Sequence, residues 1–148
     1  MISKILVASD DSDIANKAFT YTVDFAGQIK ASITLLTVID NRAFVAQSVP
    51  TELSHKRIVE PIEEYLRTSA EKYFKRAGNI CREKGVTFQG IVRNGHPVEE
   101  IIKEAEKENA DMIVMGSHGK GALTSAVLGS VTYGVIHRDT KFPVLVIR

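Results

Sequence analysis

Met112-Ile113-Val114-Met115-Gly116-Ser117-His118-Gly119 is the stretch on which the reading of this fold turns. Four apolar residues of strand length run straight into glycine. Such an unbroken apolar run fits a strand covered on both faces, as in a parallel sheet flanked by helices. Nine residues separate Gly119 from Gly129, and Ser130 to Arg138 reads as a helix. Strand, glycine loop, then glycine and hydroxyls at a helix start is the layout of an anion site. Glycine lets the backbone come close to a ligand and adopt positive φ. A helix N-terminus offers unpaired N–H groups and the positive end of its dipole. The hydroxyls of Ser130 and Thr132 add further hydrogen-bonding capacity. The expectation is that the phosphates of a nucleotide sit here, against the plainer reading of turn glycines followed by an N-cap serine.

Other phosphate loops do not fit. A P-loop needs Gly-x-x-x-x-Gly-Lys-Ser/Thr. Lys120 follows Gly119, but Val114 stands at the first glycine position and Gly121 at the hydroxyl position. Gly-x-Gly-x-x-Gly fails as well, since Gly119 and Gly121 are followed by Thr124.

Outward from this loop, strand and helix patterns alternate. Ile2 to Ser9 reads as the first strand, and Asp10-Asp11-Ser12 supplies capping groups for a helix from Ile14 to about Lys30. Ser32 to Ile39 is a β-branched second strand. Asp40 to Pro50 has no period and reads as a connection. A helical region spans Thr51 to Lys84, with a kink or fresh start at Pro61 and an apolar face of Ile62, Leu66, Tyr73, Ala77 and Ile80. Gly85 suits its C-terminal stop. Val86 to Val92 is the third strand. Pro97 opens the next helix, with Val98, Ile101, Ile102 and Ala105 as its buried stripe. Asp111 to Met115 is the fourth strand and Phe142 to Ile147 the fifth. Alternation of this kind predicts an α/β fold, with a mainly parallel sheet and helices on both faces. In such sheets ligands bind beyond the carboxyl ends of strands, where strand order reverses.

The chain has 148 residues, 44% of them apolar and 25% charged, which fits one globular domain over residues 1–148. Its net charge of +1, with no basic block, argues against a nucleic-acid footprint or a polybasic membrane patch. No apolar run approaches a membrane span, and Lys4 leads directly into a strand with no signal-peptide pattern, so a cytoplasmic location is expected. Cys81 is the one cysteine and reads as a packed thiol.

The Gly-x2-Gly-x9-Gly-Ser pattern from Gly116 to Ser130 resembles the ATP-binding motif of the universal stress protein family. The likeness extends through Lys4-Ile5-Leu6-Val7-Ala8-Ser9-Asp10, Leu35-Leu36-Thr37-Val38-Ile39-Asp40 and Pro143-Val144-Leu145-Val146-Ile147. It implies a doubly wound five-stranded sheet of order 3-2-1-4-5, with the first and fourth strands adjacent and Asp10 facing the glycine loop across a crevice. It also implies base and ribose contacts from Ala8, Ser9, Asp10 and Val38, with Met115 near the ribose. Phosphate contacts fall to Gly116, Gly119, Gly129 and Ser130, with Val131 and Thr132. Many ATP-binding members carry proline where this chain has Ala8. One lysine, Lys120, and one histidine, His118, do not balance a triphosphate, so Mg²⁺ or Mn²⁺ is expected with the nucleotide. The resemblance implies a homodimer through Phe142 to Ile147, whose outer edge a second copy would pair.

The functional expectation is an ATP-binding, nucleotide-dependent regulatory module of the stress response. The alternatives are a slow ATPase or phosphotransferase on the same scaffold, or a nucleotide-free dimeric interaction protein. No base–nucleophile–orienter set is visible, so rapid turnover is not expected. A phosphoacceptor receiver is disfavoured, because Arg93-Asn94-Gly95 follows the third strand where an acceptor aspartate belongs.

Overall fold

The computed structural model describes residues 1–40, 42, 60–120, 128–138 and 141–148. The expected connection after Asp40, the helical stretch from Thr51 and the middle of the Gly119–Gly129 loop lie outside these residues, Arg42 apart.

Five strands and four helices alternate along the described chain: β1 (Lys4–Ala8), α1 (Asp13–Ile29), β2 (Ser32–Ile39), α2 (Glu60–Glu83), β3 (Phe88–Asn94), α3 (Pro97–Lys107), β4 (Met112–Gly116), α4 (Ser130–His137) and β5 (Val144–Ile147). The strands form one parallel sheet in the order β3-β2-β1-β4-β5, as expected. Val7 lies opposite Leu35 on one side and Val114 on the other. From β1 the chain winds outward through β2 to β3, then returns to the other side of β1. Strand order therefore reverses between β1 and β4, the place where such sheets bind ligands.

Side chains of successive strand residues point to opposite faces, and this alternation divides the core. Ile5, Val7, Ile33, Leu35 and Val114 pack under α1 and α2 with Phe19, Val23, Tyr73 and Cys81. Leu6, Ala8, Leu36, Ile113 and Met115 pack under α3 and α4 with Val98, Ile101 and Val135. Both faces being covered explains the apolar runs in β1 and β4. The edge strand β3 departs from that pattern, with Gln89 and Gly90 exposed.

Local chemistry sets the ends of the elements. The Ser12 side chain accepts the Ala15 N–H at the start of α1, and Lys30 closes that helix in the left-handed conformation at φ 59°. Gly85, at φ +69°, ends α2 as read from sequence. The third strand begins two residues later than expected, because the Val86 N–H turns back to the Cys81 carbonyl instead of joining the ladder. On α2, Tyr73 and Ala77 are buried as expected and Cys81 is the packed thiol read from sequence, whereas Ile80, expected on the buried face, is 40% exposed. No described helix is long and apolar enough to cross a membrane.

Candidate functional site

A cavity of about 650 Å³ opens at the carboxyl ends of β1, β2 and β4, on the α3/α4 side of the sheet. Every residue singled out in the sequence lines it. Ala8, Ser9 and Asp10 come from the end of β1, and Val38 from β2. Met115, Gly116 and Gly119 follow from β4, and Gly129, Ser130, Val131 and Thr132 from the start of α4. Leu36, Pro97, Ile101 and Leu128 also line it and were not singled out. Leu36 and Ile101 sit in the ordinary apolar periods of β2 and α3, so nothing in the sequence separates them from core residues. Its lining is mixed: Leu36, Val38, Pro97 and Ile101 are apolar, and Asp10, His118, Lys120 and Ser130 are polar.

The positive φ expected of the motif glycines is not observed. Among the described residues only Gly85 and Gly95 have positive φ among glycines, so Gly116, Gly119 and Gly129 need no special backbone conformation. What they need is space. A Cβ on Gly129 would lie 2.8 Å from His118 Cα, and one on Gly119 would lie 2.5 Å from Asp10 Oδ2. A Cβ on Gly116 would lie 3.1 Å from Ile14 at the start of α1. Each missing side chain lets one part of the protein approach another.

Two of the expected phosphate donors are already committed. Gly129 donates its N–H to the Ser117 carbonyl at 2.7 Å. The buried Thr132 hydroxyl donates to the Gly116 carbonyl at 2.8 Å. The Ser9 hydroxyl shares a 2.7 Å hydrogen bond with the Tyr73 hydroxyl, whose ionisation is pushed up to about 12, chiefly by burial. These groups shape the site and hold it. Among the described residues, the donors left without an acceptor here are the first-turn amides of Ser130, Val131 and Thr132. They precede any intrahelical acceptor, and Gly129 caps the helix without a side-chain bond.

Asp10 faces the glycine loop, as expected, and is bonded to it. Its Oδ2 accepts the Lys120 N–H at 2.9 Å while Oδ1 accepts the Ser12 N–H at 3.0 Å. Asp10 is exposed. A carboxylate has room for about four donors, and among the described residues Asp10 accepts these two amides.

The model of the universal stress protein family matches residues 1–148. The chain belongs to that family. It is 36% identical to universal stress protein MJ0577 of Methanocaldococcus jannaschii, over 100% of this chain and 96% of that one. It is 33% identical to universal stress protein YxiE of Bacillus subtilis, over the whole of both. The solved structure of MJ0577 superposes with a TM-score of 0.83 at 33% identity, over 99% of this chain and 96% of that one. The Archaeoglobus fulgidus universal stress protein, solved in complex with dAMP, shares the fold at a TM-score of 0.68 and 21% identity, over 100% of both chains.

In this universal stress protein, no group of three His, Cys, Asp or Glu side chains among the described residues is arranged to hold a metal ion. Asp10 is the one carboxylate among the described cavity residues, and both its oxygens already accept amides. A second cavity of about 370 Å³ shares Pro97, Ser130 and Val131 with the first. Its cations are paired: Arg42 with Asp40 at 2.7 Å, and Arg138 with Glu99 at 3.6 Å. The Arg42 hydrogen bond holds the Asp40 carboxyl below its usual range.

Proposed function

We propose that this universal stress protein binds ATP in the β1–β4 cavity and acts as a nucleotide-dependent regulatory module of the stress response. The observation that carries the reading is one cavity lined both by apolar residues of β2 and α3 and by the residues whose first-turn amides open α4. A base suits the first and a phosphate chain the second. The dAMP of the Archaeoglobus neighbour supports the nucleotide class. Val38 and Leu36 wall the base, Asp10 accepts ribose hydroxyls, and Ser130, Val131 and Thr132 donate to phosphate. Gly116, Gly119 and Gly129 contribute by letting the loop pack. The described residues supply no metal ligand set, so Mg²⁺ or Mn²⁺ enters the reading only as the nucleotide's counter-ion. The protein works in the cytoplasm as a homodimer paired through β5, whose outer edge has no partner strand among the described residues.

The test is to heat-denature purified protein and run the supernatant on a nucleotide column. Release of ATP in near-stoichiometric amount supports the reading. Mostly ADP supports the slow ATPase or phosphotransferase. No nucleotide, with no binding at millimolar ATP and Mg²⁺, leaves the dimeric interaction protein. Light scattering at micromolar concentration gives twice the chain mass for the dimer, and a monomer mass removes that part.

A further inference from the structure

We propose that Ser117 and His118 form a fixed donor for the outer phosphates, which makes the site selective for nucleoside triphosphates over monophosphates. The proposal rests on the nucleotide reading above and adds a discriminating residue to it.

Ser117 is the anchor. Its N–H donates to the Ile147 carbonyl at the end of β5, at 2.8 Å, and its carbonyl accepts the Gly129 N–H at 2.7 Å. The residue is therefore held from two sides, by the sheet and by the start of α4. Its side chain is buried, with 4% of the residue exposed. Among the described residues the one partner of its hydroxyl is His118 Nδ1, at 3.1 Å.

The pair forms with either group donating, according to the ring tautomer. With Ser117 as donor, Nδ1 accepts and the ring N–H is on Nε2, which sets His118 as a donor. The missing side chain of Gly129 allows this placement, since a Cβ there would press on His118 Cα.

Position follows from the sheet. Val38 is on β2 and His118 follows β4, with β1 between them. Neighbouring strands are about 4.8 Å apart, so the backbones of β2 and β4 are roughly 10 Å apart. A base against Val38 then runs its phosphate chain across β1 toward His118 and Lys120, which line the same cavity, and a triphosphate reaches furthest. A neutral N–H donor beside a lysine adds directed hydrogen bonding to charge, and a monophosphate is too short to use it.

Dissociation constants for ATP and AMP, both with Mg²⁺, test this in wild type, His118→Ala, His118→Gln and Ser117→Ala. His118→Ala lowers the preference for ATP over AMP about tenfold, the worth of one hydrogen bond to a charged group. His118→Gln, whose amide N–H reaches a similar position, restores most of it. Ser117→Ala gives an intermediate loss. Long-range proton–nitrogen NMR correlations report the tautomer: wild type shows the proton on His118 Nε2, and Ser117→Ala shows a mixture. An unchanged preference in His118→Ala, or a proton on Nδ1 in wild type, overturns the proposal. Wild-type protein that binds AMP but shows no preference for ATP overturns it while leaving the nucleotide reading standing. Wild-type protein that binds neither removes both.

Discussion

Asp10 and Lys120, 110 residues apart in sequence, are joined by a 2.9 Å hydrogen bond from the Lys120 amide to the Asp10 carboxylate. The bond ties the loop after β1 to the loop after β4, across the point where strand order reverses. The Gly119 backbone lies close against the same carboxylate. Asp10 thus holds the glycine loop as well as lining the cavity. Asp10→Ala removes an acceptor from two exposed amides and is expected to cost about 1 kcal/mol, a fall in Tm of roughly 2–4 °C. Hydrogen exchange at the Lys120 amide should rise sharply while the β1 and β4 amides stay protected. Equal protection of Lys120 in both proteins would show that the loop holds itself.

Gly129 gives a sharper test of the same loop. Its φ of −63° and ψ of 154° suit any residue, so Gly129→Ala adds no backbone strain. The added methyl still meets His118 Cα at 2.8 Å, which is main chain and cannot swing aside. Even alanine is therefore expected to shift the loop and weaken ATP binding by about tenfold or more, with Tm falling by only a few degrees. Gly129→Glu should abolish nucleotide retention. Calorimetric titration on folded protein reads both. Wild-type affinity in Gly129→Ala would mean that the His118 backbone moves freely.

These two residues also show how far the sequence could be read. The glycine spacing was legible, and so was the cavity it borders. The reason for each glycine was not, because the atoms it avoids come from residues distant in sequence or across a loop. Helix periodicity located α3 but did not mark Glu104 as one of its buried residues. That position continues the Val98 and Ile101 stripe, yet a glutamate there reads as solvent-facing until its partner on another strand is known. Ile102, expected in the stripe, is only half-buried. The strand order came from resemblance, since the apolar runs of β1 and β4 carry no information about their neighbours.

Two buried groups set an alkaline limit on stability. Burial pushes the Cys81 thiol from 9.0 up to about 11. Burial likewise raises Tyr73 from 10.0 to about 12, although its Ser9 hydrogen bond opposes the change. Both groups are held in their neutral, protonated forms by the fold. Above pH 9 the unfolded chain gives up the thiol proton while the folded chain keeps it. The unfolded state then binds fewer protons, and stability falls as pH rises. The thiol contribution is complete below pH 9 and lost by about 11, and the tyrosine contribution is lost between 10 and 12. Urea unfolding at pH 8, 9.5 and 10.5 should show the decline, and Cys81→Ala with Tyr73→Phe should flatten it. The native thiol should also resist a disulfide reagent at pH 8 and react once the protein is unfolded.

Glu104 and Arg93 form the buried ion pair of the α3 face. Arg93 Nε donates to Oε2 at 2.7 Å and a second guanidinium nitrogen donates to Oε1 at 3.1 Å. The pair fastens edge strand β3 to α3, next to the helix face that walls the cavity. Its two members are unequally placed: the Glu104 side chain is 2% exposed and the Arg93 side chain 34%. Removing either breaks the pair, but the consequences differ. In Glu104→Ala the stranded guanidinium can turn toward water. In Arg93→Ala a carboxylate is left enclosed with no counter-charge. Arg93→Ala is therefore expected to cost about 4 kcal/mol and Glu104→Ala nearer 3 kcal/mol. Replacing both with apolar residues, Arg93→Met with Glu104→Leu, should recover most of that loss, because neither charge then has to be desolvated. Urea denaturation of the three variants decides it. Equal losses in the two single variants, or a double variant no better than the worse single one, would show that the pair is held by its geometry with the charges playing little part.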